Sequence, residues 1–242
     1  MDNKNIFDGY IDDENVMASE IDSKYINGYK GIYNRVIKRI IDLILAIILL
    51  IMLLPIFLIV AAFIVIEDGA PVLYKAERGG YKGKKFRICK FRSMVNGADK
   101  IGGGTTALND KRITRVGSII RKMKIDEFPN LLNIIKGEMS FVGPRPELIK
   151  YTEQYVGSEK YILEVRPGIT DYSSVEFINL DEIVGGDNAD EMYEKLVLPK
   201  KNKLRVRYAA EVSWFTDIKI FFLTIWKVVE KCIGFVFKKE HR

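Results

Sequence analysis

The chain contains an uncharged apolar run, residues 43–66, with Pro55 near its middle. As a single helix, these 24 residues would reach about 36 Å at about 1.5 Å per residue. The hydrocarbon core of a bilayer is about 30 Å thick, so the run is long enough to cross it. This feature predicts a chain that folds and works at a membrane.

Basic residues flank both ends of the run, whereas a simple membrane span concentrates them at its cytoplasmic end. Pro55 removes one helical hydrogen bond and clashes with the preceding turn, so we expect a bend at Leu54 and Pro55. These features favour a re-entrant helix-break-helix over residues 31–67. A kinked single-pass anchor is the alternative, because membrane helices tolerate proline. The flanking cations are Lys24, Lys30, Arg35, Lys38 and Arg39 before the run, and Lys75, Arg78, Lys82, Lys84, Lys85, Arg87, Lys90 and Arg92 after it.

Charge is distributed unevenly along the chain, which carries a net charge of +6. Residues 1–28 contain seven acidic and two basic side chains, and the remainder carries +11. The acidic segment, residues 1–30, is predicted to be a mobile tail. The basic remainder suits anionic lipid headgroups, phosphorylated substrates or nucleic acid. Residues 68–242 are long enough to form one domain on the membrane face.

The residue composition excludes several kinds of chemistry. The only histidine is His241, and the two cysteines, Cys89 and Cys232, are far apart in the sequence. A zinc site, a disulfide framework and histidine-based catalysis therefore do not fit. Any reaction must use carboxylates, lysines, arginines and a hard cation that prefers oxygen ligands.

Two short β-strands are predicted after the membrane segment, at residues 72–74 and 85–92, joined through a glycine-rich turn. Lys90 falls on the apolar side of the second strand. It either extends to solvent from the strand end or points inward at a phosphate. The glycine-rich residues 101–106 lack the lysine and hydroxyl residue of a P-loop and are predicted to be a linker.

An acidic pair, Asp126 and Glu127, lies between two predicted helices. Apolar side chains recur at helical spacing over residues 113–124, which predicts a basic amphipathic helix. A second, short helix follows the pair and ends at Gly137. Two interpretations stay open at this point: the pair complements a helix N-terminus, or it performs chemistry on a phosphorylated substrate among the surrounding cations.

Two arginines stand beside prolines. Arg145 lies between Pro144 and Pro146, and Arg166 precedes a Pro-Gly turn. The prolines restrict the backbone, so each guanidinium has little freedom to lose on binding. A planar guanidinium can bind two phosphate oxygens at once. Both arginines are candidates for phosphate binding, with a solvated turn cation as the alternative.

Residues 214–237 are rich in aromatic and apolar side chains with scattered lysines. They predict either a helix that lies in the membrane interface or a core helix of the soluble domain. The expected fold class is α+β: a small, helix-rich monotopic membrane domain with a re-entrant helical hairpin, a short β-hairpin and interfacial amphipathic helices.

Five motifs occur in an order and spacing that closely resembles the bacterial sugar transferases, which are monotopic polyprenyl-phosphate phosphoglycosyl transferases. The motifs are KFRSM at 90–94, RITRVG at 112–117, DEFPNL at 126–131, KGEMSFVGPRP at 136–146 and RPGIT at 166–170. The resemblance covers roughly residues 33–230. It implies a re-entrant helix bent at the proline and a place at the cytoplasmic face of the bacterial inner membrane.

The resemblance also implies a reaction: transfer of a sugar-1-phosphate from a UDP-sugar to polyprenyl (undecaprenyl) phosphate, with release of UMP. This step initiates the assembly of exopolysaccharide, capsule, lipopolysaccharide or other glycoconjugates, which downstream glycosyltransferases extend. The family nucleophile corresponds to Asp126, and Mg²⁺ is expected at Asp126 and Glu127. The candidate phosphate-binding residues are Lys90, Arg92, Arg112, Arg115, Arg145 and Arg166.

The sequence departs from the family pattern in three places. Leu54 stands where a serine often precedes the bending proline, and Lys124 stands where a capping serine or threonine often lies. Residues 171–177 replace a frequent Gly-Trp-Ala-Gln-Val segment, which bears on the choice of sugar. A noncatalytic membrane-anchored scaffold and a basic binding protein are the alternatives, although no nucleic-acid recognition motif is present and no nucleic-acid partner is expected.

Overall fold

The computed structural model describes residues 3–13, 15–98, 101, 106, 110–185 and 188–238. Most of the predicted linker at 101–106 lies outside the described residues. Four strands are described: β1 (Leu73–Gly79), β2 (Lys85–Phe91), β3 (Ser140–Val142) and β4 (Gly168–Thr170). The described helices are α1 (Asn3–Asp12), α2 (Lys38–Asp68), α3 (Arg115–Lys122), α4 (Leu131–Lys136), α5 (Ile149–Thr152), α6 (Tyr172–Glu176), α7 (Leu180–Val184), α8 (Ala189–Met192), α9 (Leu198–Glu211) and α10 (Trp214–Lys238).

Helix α2 contains the whole uncharged run, extends beyond it at both ends and is continuous over 31 residues, with Pro55 inside it. The break predicted at Leu54 and Pro55 does not interrupt the helix, because proline removes one N–H group and the other helical hydrogen bonds remain. The stretch Tyr33–Asp68 is long and apolar enough to cross a membrane, and only 11% of its most apolar window is buried. A core helix of a soluble protein would be mostly buried, so this exposure is compatible with monotopic membrane anchoring.

One face of α2 packs against the rest of the domain along both halves of the helix. In the first half, Ala46 lies in an apolar cluster with Ile134. In the second half, Val60 and Ile64 pack with Ile120. Each valine or isoleucine side chain buried in this way stabilises the fold by about 1.5–3 kcal/mol. The opposite face exposes large apolar side chains, including Ile51, Met52, Leu58 and Ile66.

Polar contacts hold both ends of α2 on the domain. Near the start of the helix, Arg39 Nη2 donates to Ile135 O at 2.8 Å. At its end, the Glu67 carboxylate accepts hydrogen bonds from the backbone N–H groups of Arg115 at 2.8 Å and Val116 at 2.9 Å. The side chain of Glu67 therefore caps α3, and both ends of α2 contact the same domain.

The predicted β-hairpin is confirmed. Strands β1 and β2 pair in antiparallel fashion, with Leu73 opposite Phe91. A second pairing was not predicted: β3 and β4 run parallel, with Ser140 opposite Gly168. The residues that follow β3 and β4, including Arg145, therefore emerge side by side at one end of this small sheet.

The N-terminal segment packs on α9, which differs from the mobile tail that its composition suggests. Phe7 and Ile26 are fully buried in the main apolar cluster. Asp8 forms an ion pair with Arg207 of α9 at 2.8 Å. The acidic charges thus meet basic residues that are distant in sequence, and composition alone does not reveal such contacts. The domain boundaries at residues 30 and 67 stay predictions.

Helix α10 packs one face on the domain through the fully buried Ile220. Its other face exposes large aromatic side chains, including Phe215, Phe222 and Trp226. The helix therefore presents an apolar surface, as the predicted interfacial helix requires.

Candidate active site

Asp126 and Glu127 lie in a 3-10 helix, Ile125–Asn130, between α3 and α4. Helices α3 and α4 confirm the two predicted helices around the pair. Lys124 adopts the left-handed conformation, with φ 57°, and redirects the chain just before the acidic residues. Carboxylates at the start of a helical segment interact favourably with its dipole, which suits this placement. Both acidic residues are buried, with 7% and 8% of their surface exposed.

Two cations engage Glu127. Arg145 Nη1 donates to Oε2 at 2.9 Å, and Arg145 Nη2 donates to Oε1, so the guanidinium contacts both carboxylate oxygens. Lys90 Nζ, from β2, donates to Oε1 at 3.1 Å. Charge-assisted, bidentate hydrogen bonds are strong and fix orientation. Lys90 therefore points inward at the acidic pair rather than out to solvent.

The pKa values of the two carboxyl groups move in opposite directions. Burial raises the pKa of Asp126, and the adjacent charge of Glu127 raises it further. Burial also raises the pKa of Glu127, but the positive charges of Arg145 and Lys90 outweigh burial and hold this pKa well below its usual range. The surroundings therefore favour the ionised form of Glu127, whereas burial opposes ionisation of Asp126.

Asp126 forms no hydrogen bond or ion pair with another residue in the described part of the chain. The positive charges of Lys90, Arg121 and Lys124 act on it electrostatically and lower its pKa, opposing the effect of burial. A carboxylate that is surrounded by cations but bonded to none of them is chemically available. It can act as a nucleophile or as a metal ligand.

The loop that carries Arg145 is shaped by the parallel pair β3 and β4. Gly143 N donates to Thr170 O at 2.9 Å. A Cβ atom on Gly168 would lie 2.2 Å from Gly143 N, so this close crossing of the backbone requires glycine. Arg145 N donates to Asp171 Oδ2 at 3.3 Å. The backbone of Arg145 is therefore fixed while its side chain reaches the acidic pair.

The part of the chain that forms this site matches a known protein family. The family model described as bacterial sugar transferase matches residues 33–231, which is most of the chain and includes both acidic residues, Lys90 and Arg145. The chain is a bacterial sugar transferase. The resemblance noted from the five sequence motifs is thereby confirmed.

This sugar transferase is similar to several relatives. It is 38% identical over 174 residues to the sugar transferase EpsL of Bacillus subtilis, covering 72% of this chain and 78% of the relative. It is 35% identical over 191 residues to the UDP-glucose:undecaprenyl-phosphate glucose-1-phosphate transferase of Escherichia coli, covering 77% of this chain and 38% of the relative. It is 40% identical over 124 residues to the UDP-N-acetylgalactosamine-undecaprenyl-phosphate N-acetylgalactosaminephosphotransferase of Aeromonas hydrophila, covering 50% of this chain and 29% of the relative. The chain therefore spans well under half the length of the last two relatives, whose names specify different sugars.

Two of the predicted phosphate-binding residues of the sugar transferase, Arg92 and Arg112, contact other protein groups. Arg92 binds the end of α2, and Arg112 binds an aspartate in the segment before α3. Arg92 Nη2 donates to Asp68 O at 2.9 Å, where it binds the last turn of α2. Arg112 Nη2 forms an ion pair with Asp110 at 2.7 Å. These contacts give both arginines a structural partner, and their roles in substrate binding stay predictions.

Arg115 and Arg166 likewise form no hydrogen bond or ion pair with Glu127 in the described part of the chain. Arg115 is exposed at the start of α3. Arg166 Nε donates to Gly137 O at 3.2 Å, and its guanidinium lies over the ring of Tyr81, 4.8 Å from the ring centre. Of the six predicted cations, Lys90 and Arg145 are those that contact the acidic pair in the described structure.

Sequence reasoning missed three residues around the pair: Arg121, Lys124 and Asp171. Arg121 and Lys124 belong to the basic segment directly before Asp126, and this proximity was a usable signal. Asp171 had no such signal, because the parallel pairing of β3 and β4 brings it to Arg145.

Metal binding at the site depends on few protein ligands. The described residues contain no group of three or more histidine, cysteine, aspartate or glutamate side chains that could hold a metal ion. Asp126 fits as one oxygen ligand, because no other described residue bonds its carboxylate. Both oxygens of Glu127 accept hydrogen bonds from Arg145, so Glu127 would have to give up one of these hydrogen bonds to bind a metal ion. Mg²⁺ commonly takes one or two carboxylates together with phosphate oxygens and water, which suits this donor set.

Proposed function

We propose that this sugar transferase moves a sugar-1-phosphate from a UDP-sugar to polyprenyl phosphate and releases UMP. The observation that carries the proposal is the Asp126 carboxylate: it is buried, bonded to no other described residue, and adjacent to the Glu127 carboxylate that Arg145 and Lys90 bind. The names of the Escherichia coli and Aeromonas hydrophila relatives specify this type of reaction and support its assignment here.

The reaction takes place in two displacements at one phosphorus atom. In the first, an oxygen of Asp126 attacks the β-phosphorus of the UDP-sugar, the bond to the bridging oxygen breaks, and UMP leaves with that oxygen. The product is a phosphosugar–aspartyl acyl phosphate. In the second, a phosphate oxygen of polyprenyl phosphate attacks the same phosphorus and the Asp126 carboxylate leaves. The product is a lipid-linked diphosphosugar, and Asp126 is restored.

The cations around the pair reduce an electrostatic repulsion, because the Asp126 carboxylate and the diphosphate of the donor are both negatively charged. Lys90 and Arg145 neutralise Glu127, and Arg121 and Lys124 add positive charge near Asp126. Mg²⁺ bound by Asp126 and phosphate oxygens would screen the remaining repulsion and stabilise charge on the phosphoryl oxygens. The protein cations thus offset the charge of Glu127, which would otherwise repel the diphosphate from Asp126.

A functional assay tests this proposal directly. Full-length protein in nanodiscs is incubated with undecaprenyl phosphate, Mg²⁺ and each member of a panel of UDP-sugars. We expect UMP release with at least one donor, in a 1:1 ratio to lipid-linked sugar phosphate, because the bond between the two phosphates breaks. Release of UDP would indicate ordinary glycosyl transfer. Absence of any nucleotide product across the panel would favour a noncatalytic scaffold.

We further propose that α2 bends at Pro55 without losing its helical continuity, so that it enters the membrane from the cytoplasmic face and returns to it. A straight helix of 31 residues would extend about 46 Å. If it crossed the bilayer, one end would lie about 30 Å beyond the membrane face on which the domain sits. Contacts of Arg39 with Ile135 and of Glu67 with Arg115 instead tie both ends to the same domain, which supports re-entrant insertion.

Other surfaces support attachment to the inner membrane. The exposed aromatic side chains of α10, with Lys227 and Lys231 on the same helix, suit an interface between acyl chains and anionic headgroups. The lipid-linked product would then remain at the membrane surface. There it is available to downstream glycosyltransferases of exopolysaccharide, capsule or lipopolysaccharide assembly.

Cysteine accessibility tests the topology. In a Cys89→Ser, Cys232→Ser background, the single substitutions Lys30→Cys and Lys75→Cys place one thiol before and one after α2. With a membrane-impermeant maleimide, we expect both thiols to react in inside-out vesicles and neither to react in intact spheroplasts. Reaction of the two thiols from opposite sides would show that α2 crosses the membrane.

A further inference from the structure

Arg205 lies in the middle of α9 and is fully buried. Its Nη2 donates to Glu147 Oε1 at 2.6 Å, and its Nη1 donates to Asn202 Oδ1 at 3.2 Å. Its Nε lies 3.9 Å from Asp171 Oδ2. Removing a charge from water is unfavourable unless partners compensate it. Here a single arginine joins two carboxylates that come from different segments of the chain.

Both carboxylates flank Arg145. Glu147 stands two residues after Arg145, and Asp171 Oδ2 accepts the hydrogen bond from Arg145 N at 3.3 Å. The hydroxyl of Tyr193 also donates to Glu147 Oε1, which fixes that carboxylate from a second direction. The loop that carries Arg145 is therefore tied to α9 on both sides.

We propose that Arg205 is a positioning residue for Arg145. Through its hydrogen bond to Glu147 and its longer ion pair with Asp171, it steadies the backbone from which the Arg145 guanidinium reaches Glu127. The hydrogen bonds and ion pairs of Arg205 include neither member of the acidic pair, so it acts through the loop alone. The inference rests on the proposed function and adds to it a residue outside the five sequence motifs.

Lysine at position 205 would keep the positive charge but lose the geometry. Lysine is a compact point charge, whereas the arginine fork donates hydrogen bonds to Glu147 and Asn202 and also faces the Asp171 carboxylate. We therefore expect Arg205→Lys to leave the loop less well fixed. A displacement of about 1 Å at a group that orients substrate can reduce rate by up to about a hundredfold.

A double-mutant cycle tests the proposal in the full-length protein. The value of kcat/KM for UMP release is measured for Arg205→Lys, Arg145→Lys and the double variant. We expect Arg205→Lys alone to lower kcat/KM about tenfold. In the Arg145→Lys background, the same change should lower it no more than about twofold further, because residues that act through one group are not independent.

Arg207→Lys is the matched control. Arg207 lies on the same helix, but its partners are Asp8 and Glu211 rather than the carboxylates beside Arg145. Any effect of Arg207→Lys should multiply with that of Arg145→Lys. Thermal midpoints of all variants are recorded, because a merely structural role of Arg205 would lower the midpoint and still give independent effects on kcat/KM.

The possible outcomes separate the inference from the proposed function. Wild-type kcat/KM in Arg205→Lys, or full multiplication of its effect with that of Arg145→Lys, overturns the positioning role. Wild-type kcat/KM in Arg145→Lys instead contradicts the proposed role of Arg145 itself. If Arg205→Lys does not fold, the same cycle is run with Asp171→Asn, which removes the negative charge that faces Arg205 and carries the same expectation.

Discussion

Asp126→Asn is expected to lower the rate of UMP release by at least about a thousandfold, as losses of catalytic nucleophiles commonly do. The asparagine amide has nearly the size of the carboxyl group, but it cannot displace UMP from phosphorus. The substitution also removes a buried negative charge that lies beside Glu127, so the free energy of unfolding should stay the same or increase. UMP release and the thermal midpoint, measured on the same preparation, check both expectations.

Asp22→Asn is the control for this experiment. Asp22 forms an exposed ion pair with Lys24 at 2.6 Å and lies in the N-terminal segment. Its substitution should leave most of the transfer activity. Equal activity of the Asp126 and Asp22 variants would rule out Asp126 as the nucleophile.

The same prediction has a direct chemical readout. Wild-type protein quenched after mixing with its donor, in the absence of lipid, should carry the mass of the sugar phosphate on the peptide that contains Asp126. The Asp126→Asn protein should carry none. UMP release that requires lipid, with no adduct in its absence, would indicate direct transfer to the acceptor, and an adduct on Glu127 would exchange the roles of the two carboxylates.

Local structure, which depends on residues close together in the sequence, was largely predictable. The strands of the β-hairpin follow from a turn and flanking β-formers, and α3 follows from apolar periodicity. Asp126 and Glu127 were expected at the start of a helical segment, and they lie there. The cations around them were expected as a group, because the segment directly before the pair is basic.

The assignment of individual cations was not predictable in this way. Arg92 and Arg145 were both predicted to bind phosphate, but one binds the end of α2 and the other binds Glu127. The difference depends on which segments the fold brings together, above all on the parallel pairing of two three-residue strands. The ion pair of Asp8 with Arg207 was unpredictable for the same reason, because the two residues lie near opposite ends of the chain.

Asp217→Ala is expected to produce the largest loss of stability. The Asp217 carboxylate, in α10, accepts hydrogen bonds from Tyr33 Oη and Tyr208 Oη, each at 2.7 Å, and from Lys38 Nζ near the start of α2. Removing it leaves the Lys38 ammonium buried without its counter-ion. Breaking one partner of a buried pair lowers the free energy of unfolding by about 3–5 kcal/mol. Chemical denaturation of the full-length protein in detergent measures the change.

Glu153→Ala is the matched control, because it also removes one carboxylate from an ion pair with lysine. The Lys85–Glu153 pair is 2.8 Å long, but its side chains are 57% and 60% exposed, so solvent replaces the lost contact. Its loss should lower the free energy of unfolding by no more than about 1 kcal/mol. If both variants unfold at the same denaturant concentration, burial does not strengthen the Asp217 contacts. The attachment of α10 to α2 must then depend on apolar packing alone.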